Sequence, residues 1–233
     1  MDSKSDPTRI VALVPMRHES QRVPGKNYRV FNGRPLYHWI VKSLLECPII
    51  SQVVIDTDSS FIMEDGKKHF PRVKILERAE QLRDGNIPMN EVLLYDMSQV
   101  EADYYFQTHS TNPLLKTKTI SRAIKLFLEN RSVYDSLFSV TRVQVRLWDS
   151  IARAINHDPS ILLRTQDLPP VYEENSCIYI FSRPVLEKKR NRIGDRPLLF
   201  EIDRLEAWDI DEELDFQIAE FLSKKQIEEG HPQ

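Results

Sequence analysis

The sequence predicts an α/β fold built on a doubly wound, mostly parallel sheet, and three observations carry that prediction. Residues 9–14 form a short β-rich apolar run that ends at Pro15. Runs of that kind then alternate with amphipathic helical stretches as far as residue 140. Between Val143 and Pro170 the rhythm breaks. Strands alternating with helices build a largely parallel sheet whose ligands lie beyond the carboxyl ends of the strands. A chain of 233 residues suits one such domain with a small appendage and can bury a substantial core.

The elements follow in order. Residues 9–14 read as a central strand buried on both faces, leading directly into a functional loop. Leu36, Trp39, Ile40 and Leu44 recur at helical spacing, with Pro35 in the first turn and Pro48 beyond the end. Strands at 52–55, 73–76 and 104–107 alternate with helices at 61–69 and 88–99. Ile120, Ala123, Ile124, Phe127 and Leu128 mark another amphipathic helix, followed by a strand at 136–140. The stretch 143–170 has no clear period, ends in Pro169-Pro170 and reads as an inserted arm. A strand resumes at 176–181, and Leu214, Ile218, Phe221 and Leu222 share one face of a last helix. The expected organisation is a disordered leader at 1–8, an α/β domain at 9–142 and 171–227, and the arm at 143–170.

Composition narrows the function. With 32 basic and 35 acidic residues the net charge is −3, which argues against a general nucleic-acid binder, and the basic stretch 183–196 reads as a solvated helix face. No apolar run approaches the roughly 18 residues of a membrane span. The polar N-terminus is unlike a secretory signal or a transit peptide. Cys47 and Cys177 stand alone, outside any C-x-x-C, so neither a disulfide framework nor a cysteine zinc site is suggested, and the cytoplasm is the expected location.

Two segments carry chemistry on their own terms. The loop from Pro15 to Asn27 places Arg17, Arg22, Lys26 and one glycine directly after the first strand, as a triphosphate requires of cations and backbone N–H groups. It is not a Walker loop, because Ser20 stands where the first glycine would be and Asn27 follows Lys26. Near the other end, Asp209 and Asp211 project to one side if the backbone is extended, so both can meet one hard divalent cation. Asp209 with Glu212 also has the spacing of a capping box, and Asp58 could cap a helix or contact a ligand. On residue type alone Tyr179 reads as a core strand aromatic.

Arg17, Ser20, Pro24, Lys26 and Asn27, with Gly33-Arg34-Pro35-Leu36 after them, resemble the opening signature of the acylneuraminate cytidylyltransferase family; Gln21 and Arg22 depart from its lysine and glycine. The resemblance continues through Asp56-Thr57-Asp58, through Thr111, Pro113 and Leu114 with His109 and Asn112 replacing glutamine and serine, through Arg164 to Pro170, and through Asn175 and Tyr179 with Ser176 replacing a glycine. It ends with Asp209-Ile210-Asp211 and covers about Ile10 to Ala219. It implies a nucleotide-diphospho-sugar transferase-like fold and transfer of CMP from CTP to an acidic nonulosonate-type sugar. The nucleotide would be held by Arg17, Ser20, Arg22, Lys26, Asn27, Arg78 and Asn90, and the sugar by His109, Thr111, Arg164, Gln166, Asn175 and Tyr179. Lys26, Arg17 and Asp211 would be catalytic, Asp209 and Asp211 would ligate Mg²⁺, and the arm would make a homodimer. A ketodeoxyoctonate-type synthetase and a non-catalytic nucleotide or sugar sensor remain as alternatives.

Overall fold

The computed structural model describes residues 8–228, which a seven-stranded sheet organises. β1 (Ile10–Met16) lies inside it with all seven residues buried. Ile10, Ala12 and Val14 face one core and Val11 and Leu13 the other, the two-residue period of a strand covered on both sides. A short hairpin, β2 (Val30–Phe31) and β3 (Arg34–Pro35), precedes α1 (Tyr37–Leu45). The alternation then runs β4 (Gln52–Thr57), α2 (Ser60–His69), β5 (Lys74–Glu77), α3 (Met89–Gln99), β6 (Tyr104–Gln107) and α4 (Thr117–Asn130). β5, β4, β1 and β6 are neighbours in that order, all parallel. Ile40 and Leu44 of α1 and Ile120, Ile124 and Phe127 of α4 fill one core; Leu93 and Met97 of α3 and Leu186 of α5 (Arg183–Lys189) fill the other.

The second half of the sheet is mixed. β8 (Val171–Phe181) runs antiparallel to β6 and to β7 (Ser136–Val143), while β9 (Pro197–Glu201) pairs in parallel with β7. One sheet edge therefore collects the carboxyl ends of β1, β4, β5, β6, β7 and β9 and the start of β8. The loops leaving that edge can all meet at one site.

Both flanking strands of the arm are longer than the sequence suggests. Val140 to Val143 pair with Glu174 to Val171, forming a two-stranded root. Beyond it, residues 144–170 contain an isolated bridge between Trp148 and Ala154 and a single 3₁₀ turn at Thr165–Asp167. Two expectations need correction. The stretch 183–196 is not a uniform solvated helix face: α5 stops at Lys189, Arg190 caps it in the left-handed region (φ 52), and Arg192 turns inward over the Tyr179 ring at 3.6 Å. The last helix, α6 (Glu213–Glu228), buries Phe216, Ala219 and Ser223, whereas Leu214 and Phe221 are exposed. Phe216 meets Phe31 edge-on in a small third core shared with Val23, Leu36, Trp39 and Ile210, which selects that face. β9 and the β2–β3 hairpin give no periodic signal and are additions. The expected leader, except Thr8, lies outside the described residues.

Candidate active site

A pocket of about 980 Å³ opens at the carboxyl ends of β1, β4, β5 and β6, at the upper end of the size range of small-molecule sites. Four loops line it: Arg17 to Arg22 with Lys26 and Asn27 after β1, Asp58 and Ser60 after β4, Arg83 to Asn86 after β5, and His109 to Thr111 after β6.

The first loop is fixed by its own turn chemistry. Gly25 has φ +66, and the Lys26 N–H donates to the Val23 carbonyl at 3.1 Å, closing a turn with Pro24 and Gly25 at its centre. Proline followed by a residue with positive φ is the type II pattern. The turn aims Lys26 inward, where its ammonium donates to the Ile210 carbonyl at 2.5 Å. Burial lowers the Lys26 pKa, and Asp209 and Asp211 oppose that shift. Asn27 braces the same loop: its Nδ2 donates to the Arg17 carbonyl at 2.7 Å, and its Oδ1 accepts from Ser110 Oγ at 2.6 Å. Asp58 is not the helix cap, a role taken by Ser59; its Oδ1 accepts the His18 N–H at 2.6 Å and ties the first loop to β4.

Asp209-Ile210-Asp211 docks beside this loop. Ile210 is fully buried in the third core with Val23 and Phe216, and its N–H donates to the Thr111 carbonyl at 3.0 Å. Burial raises the Asp209 pKa, offset in part by the Thr111 hydroxyl and by Lys26. Asp211 is half-exposed and meets Arg22 at 2.5 Å. The capping-box alternative is not realised, since Asp215 accepts the N–H groups of Asp211 and Glu212. Asn112 Nδ2 reaches Asp209 Oδ1 at 3.5 Å, while Asn112 Oδ1 is a buried acceptor without a hydrogen-bond partner. The two carboxylates of Asp209 and Asp211 offer the oxygen donors that suit a hard divalent cation.

The sequence model of the cytidylyltransferase family matches residues 11–228. The chain belongs to that family. It is 26% identical over 228 residues to a CMP-N,N'-diacetyllegionaminic acid synthase of Legionella pneumophila, covering 92% of this chain and 96% of that protein. It is 24% identical over 219 residues to N-acylneuraminate cytidylyltransferase A of Danio rerio, covering 91% of this chain and 50% of that protein, so it spans about half that relative's length. Among solved structures, a CMP:2-keto-3-deoxy-manno-octonic acid synthetase complexed with CTP superposes with a TM-score of 0.71 at 14% identity, over 94% of this chain and 100% of that one. That likeness concerns the fold.

Measured against the residues expected of a cytidylyltransferase, the pocket gathers Arg17, Ser20, Arg22, Lys26, Asn27, His109 and Thr111. Others point elsewhere. Arg78 borders the pocket, but its guanidinium is 2% exposed and donates from Nε to Asp56 Oδ1 at 2.5 Å. Beside it Asp96 is pushed up to about 9 by burial and by Asp56, while Arg78 Nη2 is left without a hydrogen-bond partner. Asn90 donates to the Arg190 carbonyl at 2.9 Å on the α3–α5 side. Asn175 is occupied with Ser139 and Thr141 between β7 and β8. Tyr179 is fully buried, its hydroxyl donating to Glu174, which is the core-aromatic reading rather than sugar contact. Arg164 and Gln166 sit on the arm, where Arg164 pairs with Asp167 at 2.7 Å. Neither lines this chain's pocket.

Arg192 and Gln107 are the residues that sequence reasoning missed. Arg192 Nη1 donates to Gln107 Oε1 at 2.6 Å, and Gln107 Nε2 lies 3.1 Å from His109 Nε2. The amide thus turns its NH₂ toward the imidazole, so His109 Nε2 accepts and the ring proton sits on Nδ1. Burial, then Arg192 and Lys26, push His109 down to about 3 and keep it neutral. The only signal in the sequence was the basic run containing Arg192.

Proposed function

We propose that the chain couples CTP to an acidic nonulosonate-type sugar, giving a CMP-sugar and pyrophosphate. The observation that carries this reading is the docking of Lys26 against the Asp209-Ile210-Asp211 segment at the rim of a cation-lined pocket. That arrangement brings positive charge for a triphosphate and oxygen donors for its metal to one place. The named legionaminic and neuraminic acid relatives support the sugar class.

In this scheme the anomeric hydroxyl of the sugar attacks the α-phosphorus in line and pyrophosphate leaves. Lys26 and Arg17 orient the phosphates and offset their growing negative charge, so catalysis is mainly positioning and electrostatics. Arg22, now paired with Asp211, would turn to the phosphates when that carboxylate meets a metal. Asp209 and Asp211 would hold Mg²⁺, which supplies Lewis-acid charge neutralisation at the phosphate oxygens. The neutral His109 and Thr111 would meet sugar hydroxyls. We place the enzyme in the cytoplasm, where CTP is made available; among the described residues no helix is long and apolar enough to cross a membrane.

The assembly belongs to the same proposal. Val145, Trp148, Ile151, Ile155, Ile161, Leu162 and Leu163 of the arm are exposed, with Leu162 at 90%. A homodimer formed through the arm would cover them, bury at least roughly 1,000 Å² and carry Arg164 and Gln166 toward a second pocket. The test of the function is pyrophosphate release from CTP and Mg²⁺ with neuraminic, legionaminic, pseudaminic and ketodeoxyoctonic acids. Release with one of the first three supports the reading. Release only with ketodeoxyoctonic acid moves it to that subclass, and no release with any sugar favours a sensor.

A further inference from the structure

Between α1 and α2, outside the nucleotide pocket, three metal-ligating side chains converge. His38 Nε2 lies 2.6 Å from Asp65 Oδ2, and His69 Nδ1 lies 2.9 Å from Asp65 Oδ1. One donor atom from each of the three falls within 4.8 Å of the others. None of them lines the pocket. We propose that His38, Asp65 and His69 form a separate metal centre that takes a borderline divalent cation of the Zn²⁺ class.

The donor set selects that class of ion. Two imidazole nitrogens and one carboxylate suit Zn²⁺ or its transition-metal neighbours, whereas Mg²⁺ prefers oxygen. The spacing is close to what an ion needs, because ligands about 2.0–2.1 Å from a tetrahedral ion stand roughly 3.3 Å apart, about 0.4 to 0.7 Å more than the two contacts with Asp65. His69 can supply that movement: its side chain is 44% exposed, against 9% for His38 and 15% for Asp65. Asp65 and His69 are four residues apart on one helix and so share a face.

The surroundings resemble a second ligand shell. The Tyr37 hydroxyl donates to Asp65 Oδ2, as outer donors orient ligating carboxylates. On binding, the proton that each ring now shares with Asp65 moves to its other nitrogen, leaving the facing nitrogen lone pairs for the ion. Water would fill the fourth position on the open side of His69. The ion would join α1 to α2, whose Ser60 and Met63 border the pocket, and so stiffen that wall.

The test is titration of chelator-stripped protein with Zn²⁺ against a chromophoric competitor, with Co²⁺ as a spectroscopic stand-in. One equivalent should bind, raise Tm and give the intense visible bands of low-coordinate Co²⁺. His69→Ala, at the exposed edge, should weaken binding at least about tenfold and remove the Tm rise, with Asp65→Asn doing the same if it folds. A variant lacking both Asp209 and Asp211 should still bind. Absence of stoichiometric binding, indifference to His69→Ala, or loss on removing Asp209 and Asp211 would each overturn the proposal.

Discussion

The nucleotide loop and the arm leave the same sheet edge but are held in opposite ways. Residues of the loop bond to partners far away in sequence: Lys26 to Ile210, Asn27 to Ser110, His18 to Asp58. The arm's side-chain hydrogen bonds, by contrast, stay largely within it. Gln144 donates to the Leu168 carbonyl, Asn156 to the Val145 carbonyl, and Arg164 to Asp167. Lys26 is 9% exposed, whereas Ile151 of the arm is 67% exposed. One chain therefore pre-organises the charged half of the site and leaves apolar arm surface without a cover. Pre-organised donors are what a reaction with developing phosphate charge needs, and uncovered apolar surface is what an assembly needs.

The largest expected effect breaks the rigid half. Lys26→Ala and Asp211→Ala should each lower turnover at least about tenfold at saturating CTP and Mg²⁺, because they remove charge stabilisation rather than core packing. Circular dichroism should stay unchanged. Near-normal turnover in either variant sinks the assigned role.

Next comes the arm. Leu162→Asp should shift the sedimentation coefficient from dimer to monomer and lower activity severalfold, since a charge at the centre of an apolar interface is costly. Mixed dimers of Arg164→Ala and Lys26→Ala chains should recover activity through sites that combine one intact arm with one intact loop. A fully active monomer would show that the arm lends nothing.

A smaller effect probes how the loop is set. Gly25→Ala meets positive φ and would place a Cβ 2.9 Å from the Tyr28 ring. It should cost roughly 1–3 kcal/mol, visible as a lower Tm, and raise KM for CTP by misaiming Lys26. An unchanged Tm would mean that the turn relaxes freely.

The same contrast explains what the sequence reveals. β1 and its loop are legible because a strand buried on both faces has no polar residue and because proline, glycine and lysine each have a backbone or charge reason to be there. Asp209 and Asp211 are legible as a pair, but their link to Lys26 depends on Ile210 entering a third core, 184 residues from the loop in sequence. Arg78 is legible as a cation at a strand end, but its pairing with buried Asp56 is not, because an arginine after a strand looks alike whether it faces a phosphate or a carboxylate. Tyr179 is legible as a core strand aromatic from its apolar neighbours, and the structure buries it with its hydroxyl on Glu174. Arg192 lies in a run of cations whose charge hides the one that turns inward, a choice made by Gln107 and the Tyr179 face rather than by local pattern.

The smallest expected effect concerns His109. Gln107 donates to its Nε2 and burial holds it down to about 3, so it carries no charge at assay pH and cannot act there as a protonated acid. Its expected task, meeting a sugar hydroxyl, needs only a neutral donor or acceptor, which an amide also provides. His109→Gln should therefore keep turnover within about threefold and leave the pH–rate profile between about pH 6 and 8 unmoved. Stability offers a second reading. A histidine with a depressed folded pKa contributes fully above its unfolded value of about 6.5, and that contribution is lost as pH falls toward the folded one. Acid should thus destabilise the wild type more than His109→Gln across that window, as measured by urea midpoints at several pH values. A profile that loses its acidic limb in the variant would instead make His109 a titrating catalytic group and overturn the neutral assignment.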